Sequence, residues 1–163
     1  MIQMKKNSLE IRLDLLLNYI QPTKYIVQDT NYSDNYKIPV LTPGKKFIKG
    51  YTNETQGIFK SVPAIIFDDF TTASRLVKFS FKVKSSALKI LVPSNSYVCL
   101  AYVFYMMLVL KVRNDTHKRY WISIFSKKEI PLPPLPEQRA MVSKTDQLFS
   151  ELDNGIKNLE QAQ

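Results

Sequence analysis

The stretch "EIPLPPLPEQRAMV", residues 129 to 142, places four prolines within six positions, and no proline follows to the last residue. Proline lacks an amide hydrogen and pushes the residue before it out of the helical region, so Pro131, Pro133, Pro134 and Pro136 exclude a helix interior here. An extended, semi-rigid strip is the conformation that remains. Pro136 can still take the first helical position, where a missing amide costs nothing, and Glu137 in the same turn complements the helix dipole. The stretch predicts a hinge that launches a helix, dividing the chain into a body over residues 1–130 and a hinge plus helix over 131–163.

The residues beyond the hinge keep a seven-residue period. Met141, Leu148, Gly155 and Ala162 share one heptad position, Thr145, Leu152 and Leu159 a second, and Val142, Phe149 and Ile156 a third. Three adjacent positions make a stripe wider than a two-stranded seam needs. A coiled-coil-type helix with more than one partner is expected, with Met141, Leu148, Phe149, Leu152, Ile156 and Leu159 as its assembly residues. At about 1.5 Å per residue it extends roughly 40 Å, more than its own small body can cover. The alternative is a helix folded back on the body. Gly155 sits in the apolar stripe, where glycine costs about 1 kcal/mol against alanine, which points to close approach of another helix.

Charge separates the same two parts. Residues 1–136 carry 20 Lys+Arg against 9 Asp+Glu, or +11, while residues 137–163 carry 3 against 5, or −2; together these make the +9 of the chain. A basic body invites a polyanionic partner, nucleic acid first and an anionic membrane surface second, although many small basic proteins simply stay soluble this way. The hydrophobic content of 45% suffices for a real core. The longest uncharged apolar run, Tyr97 to Leu110, has fourteen residues against the roughly 20 of a membrane span, and reads as a buried helix over about 96–112. Glu10, Arg12 and Asp14 interrupt any apolar signal-peptide core, so export is not expected. Cys99, the one cysteine, lies in the apolar run and reads as core filler.

Between Tyr36 and Val92, short apolar segments alternate with turn formers at the spacing of strands: "YKIPVL", "KKFIKGY", "GIFK", "VPAIIFD", "LVKFSFKV" and "LKILV". In the clearest, Val77, Phe79, Phe81 and Val83 form one face and Lys78, Ser80, Lys82 and Lys84 the other, which predicts one strand with a packed side and a wet, basic side. "THKRYWISIF" reads as a basic turn entering another strand through Trp121, Ile122 and Ile124, whereas "LEIRLDLLLNYI" fits both strand and helix periods. The fold class is α+β, a twisted mixed sheet with few helices.

No residues assemble by sequence into an active site. His117 is the only histidine and reads as part of an exposed basic turn. Asp68 and Asp69 follow an apolar strand, where a metal-binding pair for a nuclease can sit, but no third acid follows at short spacing. Turn formation and acceptance from cytosine amino groups compete for them. Lysines interleaved with polar and aromatic residues are more telling, since lysines anchor on phosphates while Thr, Ser, Asp and Tyr read base edges or position backbone. The candidate DNA contacts are Lys24 and Tyr25; Lys45, Lys46, Tyr51 and Thr52; Asp69, Thr71 and Thr72; Lys82, Lys84 and Ser85; and Lys118 and Arg119.

The segments "QPTKYIV", "IPVLTPGKKFIKGYTNETQGIF", "PAIIFDDFTTASRLVKFSFKVKSSALKIL", "HKRYWIS" and "IPLPPLPEQRAMVSKTDQLFSELDNGI" resemble one target-recognition domain and its following helix from specificity subunits of type I restriction-modification systems. The resemblance covers the chain from about Leu13 onward and is most specific in the proline strip running into "EQ" and in "LFSELDNGI". It implies a non-catalytic, cytoplasmic DNA-recognition unit without cofactor or metal. It further implies double-stranded DNA and methyltransferase subunits as partners, with self-association through the helix and no membrane contact. Those subunits typically hold two such domains, and this chain resembles half of one. A nonspecific basic nucleic-acid-binding adaptor is the other alternative.

Overall fold

The computed structural model describes residues 9–42, 46–110 and 119–161. In chain order the elements are β1 (Leu9–Arg12), α1 (Leu13–Leu16), β2 (Leu17–Ile20), β3 (Ile38–Leu41), β4 (Ile48–Thr52), β5 (Ala64–Asp68), β6 (Ser74–Val77), β7 (Lys82–Val83), β8 (Leu88–Pro93), α2 (Leu100–Val109), α3 (Tyr120–Ser123), β9 (Glu129–Leu132) and α4 (Leu135–Gln161). The strands make a two-stranded sheet β1-β9, a four-stranded sheet β2-β8-β5-β6 and a three-stranded sheet β4-β3-β7. Among the described strand pairs β3–β7 alone is parallel, so the three-stranded sheet is mixed as expected while the other two are antiparallel.

β5 reads Ala-Ile-Ile-Phe-Asp and is buried throughout, because side chains alternate across a strand and both faces of this one are covered. Ile65 and Phe67 enter one core together with Leu91, Val103, Trp121 and Ile130. Ala64 and Ile66 enter the other, with Leu41, Phe59, Phe81 and Ile90, between the four- and three-stranded sheets. Each Leu, Ile, Val or Phe among them contributes roughly 1.5–3 kcal/mol on full burial. The segment that fitted both periods has both structures. β1 and β2 flank the single turn α1, which puts Leu13, Leu16 and Leu17 at helical spacing into the first core.

Three elements depart from sequence expectation. "LVKFSFKV" is not one strand: β6 and β7 belong to different sheets, and Phe79, between them, is 43% exposed. Trp121 lies in the helical turn α3 rather than in a strand, because the Asp69 carbonyl accepts from the Tyr120 amide (3.0 Å) and the Asp69 carboxylate from the Trp121 amide (2.9 Å). α2 begins at Leu100 and not near 96, since Asn95 Oδ1 accepts the Tyr97 amide at 2.9 Å and holds that segment in a turn.

Two ion pairs tie the loops to this frame, one buried on both sides and one through a buried lysine and a partly exposed glutamate. Lys89 and Asp69, 2% and 1% exposed, lie 3.3 Å apart, and Lys89 Nζ also donates to the Ser86 carbonyl. Lys82 Nζ lies 2.6 Å from Glu54 Oε2 and donates to the Gln56 carbonyl at 2.7 Å. The other Glu54 oxygen accepts the amides of Gln28 and Asp29, both at 2.8 Å. Gly57 completes this knot at φ +61°, where a Cβ would lie 2.5 Å from the Lys24 carbonyl oxygen.

The proline strip carries the chain from β9 into α4. Pro131 lies in β9 opposite Glu10, and its carbonyl accepts from Tyr102 Oη at 2.6 Å. α4 starts one residue earlier than expected, at Leu135, with the Pro134 carbonyl accepting the Glu137 and Gln138 amides; Pro136 is then second in the helix, still within the turn that needs no amide donor. Gln138, 1% exposed, accepts the Cys99 amide (2.8 Å) and donates to the carbonyls of Tyr97 (3.0 Å) and Pro133 (2.9 Å). Further along, Met141 and Val142 pack on the first core, Tyr105 Oη donates to the Asp146 carboxylate, and the Tyr105 and Phe149 rings lie 6.1 Å apart. The bond to Asp146 and burial hold the Tyr105 phenol up at about 12. Beyond Phe149 every residue through Gln161 is exposed.

Two stability predictions follow from these contacts. Gln138→Ala is expected to cost about 2–3 kcal/mol, because three backbone groups lose their partner. For a chain of this size that lowers the thermal midpoint by roughly 4–12 °C, measured by circular dichroism. The Glu54 knot is expected to fail in acid. Desolvation pushes its carboxyl up, but the Lys82 hydrogen bond and the Asp29 and Gln28 amides outweigh it and hold the group below its ordinary 4.5. A lowered folded-state value means the contribution is full above the unfolded value and disappears as pH falls through the folded one. Glu54→Gln is therefore less stable than wild type in urea titrations at pH 7, with the difference shrinking below about pH 4.

Candidate nucleic-acid interface

Three open depressions lie side by side on the β3–β4 face. One of about 450 Å³ is lined by Tyr32, Ser33, Asp34, Lys46, Ile48, Lys49, Gly50 and Tyr51. A second, about 490 Å³, runs from Asn35, Tyr36 and Lys37 across Thr52 to Thr55 and reaches Lys60. The third, about 400 Å³, joins Lys37, Tyr51, Phe79 and Ser80. Lysines border all three, and Tyr, Asn, Ser and Thr lie between them, a combination suited to phosphate anchoring beside base-edge contact.

Local chemistry builds this face. Tyr32 lies directly over Gly50, where a Cβ would stand 2.7 Å from the Tyr32 Cβ, so glycine is required for the ring to lie down on β4. Lys84 Nζ sits 5.9 Å from the centre of that ring and Arg75 4.8 Å from the Phe47 ring, both cation–π contacts that hold basic groups by the sheet. The Ser33 amide donates to the Tyr51 carbonyl at 3.2 Å, and the Tyr36 amide to the Ser33 carbonyl at 3.0 Å.

The sequence candidates divide. Lys46 and Tyr51 line the depressions, and Lys84 joins them through Tyr32. Lys24, Ser85 and Arg119 keep surface exposure elsewhere, as do Thr71 and Thr72; Thr71 Oγ1 donates to Asp68 Oδ2 at 2.6 Å, and Thr72 adopts φ 62° at the turn. Tyr25 is turned inward, edge-on to Phe59 at 5.1 Å. Lys45, Lys118 and His117 lie outside the described residues.

Three candidates need correction because they are inside. Lys82, expected on a wet face, is 2% exposed and spent on Glu54 and Gln56, since β7 pairs with β3 and the 54–57 segment covers its other side. Thr52 is 1% exposed and its hydroxyl accepts the Glu54 amide at 3.2 Å. Asp69 is 1% exposed and holds Lys89 and Trp121, while Asp68 accepts the Phe70 amide at 3.0 Å. The acidic pair is thus used in turn and core construction, and among the described residues no three His, Cys, Asp or Glu side chains gather as metal ligands.

Among the residues lining these depressions, Tyr32, Asn35, Tyr36, Lys37 and Lys60 were not singled out from sequence. The signal was present in "NYSDNYK" (31–37), where two Asn, two Tyr and a Lys fall within seven residues ahead of a strand. In α4, Leu148, Phe149, Leu152, Ile156 and Leu159 are 45–70% exposed, and no atom outside its own helix lies within 4 Å of where a Gly155 Cβ would stand. No helix among the described residues is long and apolar enough to cross a membrane.

Comparison with known proteins bears on the whole chain. Over 123 residues, 72% of this chain, it is 50% identical to the EcoR124I/EcoR124II type I restriction enzyme specificity subunit of Escherichia coli, and it spans 30% of that relative's length. Its fold resembles the type I restriction-modification S subunit from M. genitalium, at 15% identity and a TM-score of 0.68 over 94% of this chain and 42% of the other. It also resembles the HsdS subunit from Thermoanaerobacter tengcongensis, at 16% identity and a TM-score of 0.60 over 93% and 40%. The model of the type I restriction modification DNA specificity domain matches residues 10–161, from the first strand to the last described turn of α4, and the chain belongs to that family.

Proposed function

We propose that this chain is a DNA sequence-recognition unit of a type I restriction-modification system, reading one half of a bipartite duplex target and docking methyltransferase subunits through α4. The observation that carries this reading is the family match, which runs unbroken across the basic body and the helix alike. The body supplies phosphate anchors such as Lys46 and Lys49 beside polar side chains that can reach base edges. The outer half of α4 supplies an apolar stripe that its own body leaves uncovered. Pairing of two such helices antiparallel sets two bodies on one duplex at a fixed distance, and methyltransferase subunits cover the rest of the stripe. The unit does no chemistry itself and needs no cofactor. A cytoplasmic location goes with a chromosomal DNA target.

Duplex affinity is expected to fall steeply with salt, because each neutralised phosphate releases condensed counterions. With roughly 5 phosphates engaged, log K against log salt has a slope near −4 to −5 in fluorescence-anisotropy titrations, and a flat line refutes DNA binding. Leu152→Asp puts a carboxylate in the middle of the exposed stripe, where burial in an interface leaves it desolvated and unpaired. Sedimentation velocity is expected to show loss of the helix-mediated assembly with an unchanged circular-dichroism melt. Collapse of the fold instead would place the stripe against the body.

A further inference from the structure

Resting on the DNA-recognition reading above, we propose that the loop 28–37 is the base-reading element of this body, and that the Lys82–Glu54 pair is its positioning device.

The loop is unusual in charge. It runs across a face bordered by Lys46, Lys49 and Lys60, yet carries Asp29 and Asp34 against a single Lys37. An exposed carboxylate raises the cost of approaching a phosphate backbone, so Asp34 is misplaced on a surface that only holds DNA by charge. It is well placed on one that reads bases, since Asp accepts from the cytosine amino group and Asn pairs with adenine. Asp34 and Asn35 are both exposed.

Its position supports the same assignment. Tyr32, Ser33 and Asp34 wall one depression that Lys46 and Lys49 border, and Asn35, Tyr36 and Lys37 wall the next, which Lys60 borders. The loop therefore stands between two lysine-bordered hollows, as an element entering a DNA groove stands between two phosphate strands.

The loop is also held firmly enough to read. Discrimination between bases requires side chains fixed to a fraction of an ångström by their supporting contacts. Glu54 Oε1 accepts the amides of Gln28 and Asp29, the Tyr51 carbonyl accepts the Ser33 amide, and Tyr32 is seated on Gly50. Glu54 is itself fixed by Lys82, which is 2% exposed and cannot contact a phosphate from there. Lys82 thus acts through Glu54 on the loop.

The test is selection of preferred sites from a randomised duplex library by the full chain, comparing wild type, the double variant Asp34→Ala/Asn35→Ala and Glu54→Gln. Wild type is expected to enrich a short base motif. The double variant, altered only at exposed positions, is expected to lose preference at one or two of its positions by roughly 5- to 150-fold each, the range of a single base contact. It is also expected to bind random duplex more tightly, because a negative charge is gone. Glu54→Gln, checked as folded by its melt, is expected to blur the same positions. An unchanged motif in the double variant overturns the loop assignment while leaving DNA recognition intact. An unchanged motif in folded Glu54→Gln overturns the positioning role. Failure of wild type to enrich any motif removes the recognition reading itself, and the loop assignment with it.

Discussion

Gln138 uses three of its hydrogen-bonding positions inside the protein, accepting from Cys99 and donating to Tyr97 and Pro133, and is 1% exposed. These contacts join the start of α2, the proline strip and the first turn of α4 at one point. Removing water from an amide is costly unless its hydrogen bonds are replaced, so the helix can leave the body along few directions. The β1–β9 ribbon sits directly before this point and returns the beginning of the body to its end. Tyr105 adds a second tether through Asp146 and Phe149, so two well-separated contacts define the helix axis.

The two ion pairs have a similar role. A buried pair seldom adds net stability over well-packed apolar residues, but breaking it by removing one partner leaves a charge stranded. Lys89–Asp69 ties β8 to the β5–β6 turn, whose Asp69 also accepts the Trp121 amide of α3, and Lys82–Glu54 holds the loop 28–37 to β4 and β7. Each locates a loop against a sheet whose apolar faces already supply the folding free energy. Of the candidate DNA-facing lysines placed here, Lys46 is at the surface while Lys82 is structural, and their chemistry is identical; only the neighbours differ.

Much of the architecture was legible because its causes are local. Ring closure in proline acts on its own residue and the one before it, so the helix start was readable to within a residue. The apolar segment "VPAIIFD" announced a strand, and β5 is there. The candidate site was less legible. Thr52, Asp69 and Lys82 look like surface groups in sequence and are all inside, and Trp121 looks like a strand residue and is held in a helical turn by a carboxylate 52 positions away. In the other direction, "NYSDNYK" looks like an ordinary polar connection until Gly50 admits Tyr32 and the segment becomes the wall of two depressions.

The amino-acid sequence by itself determined the uneven charge along the chain, the start of the helix after the prolines, the short apolar segments that become strands, and the heptad stripe of α4. All of these depend on covalent geometry or on periods within a few residues of one another. The tertiary structure decided which lysines face solvent, which acids build the core, and that the loop 28–37 lies across β4. Those outcomes depend on which distant segments cover each strand face, and the desolvation of a charged group is set by neighbours that may be tens of residues away in the chain, as Gln28 and Asp29 are from Glu54.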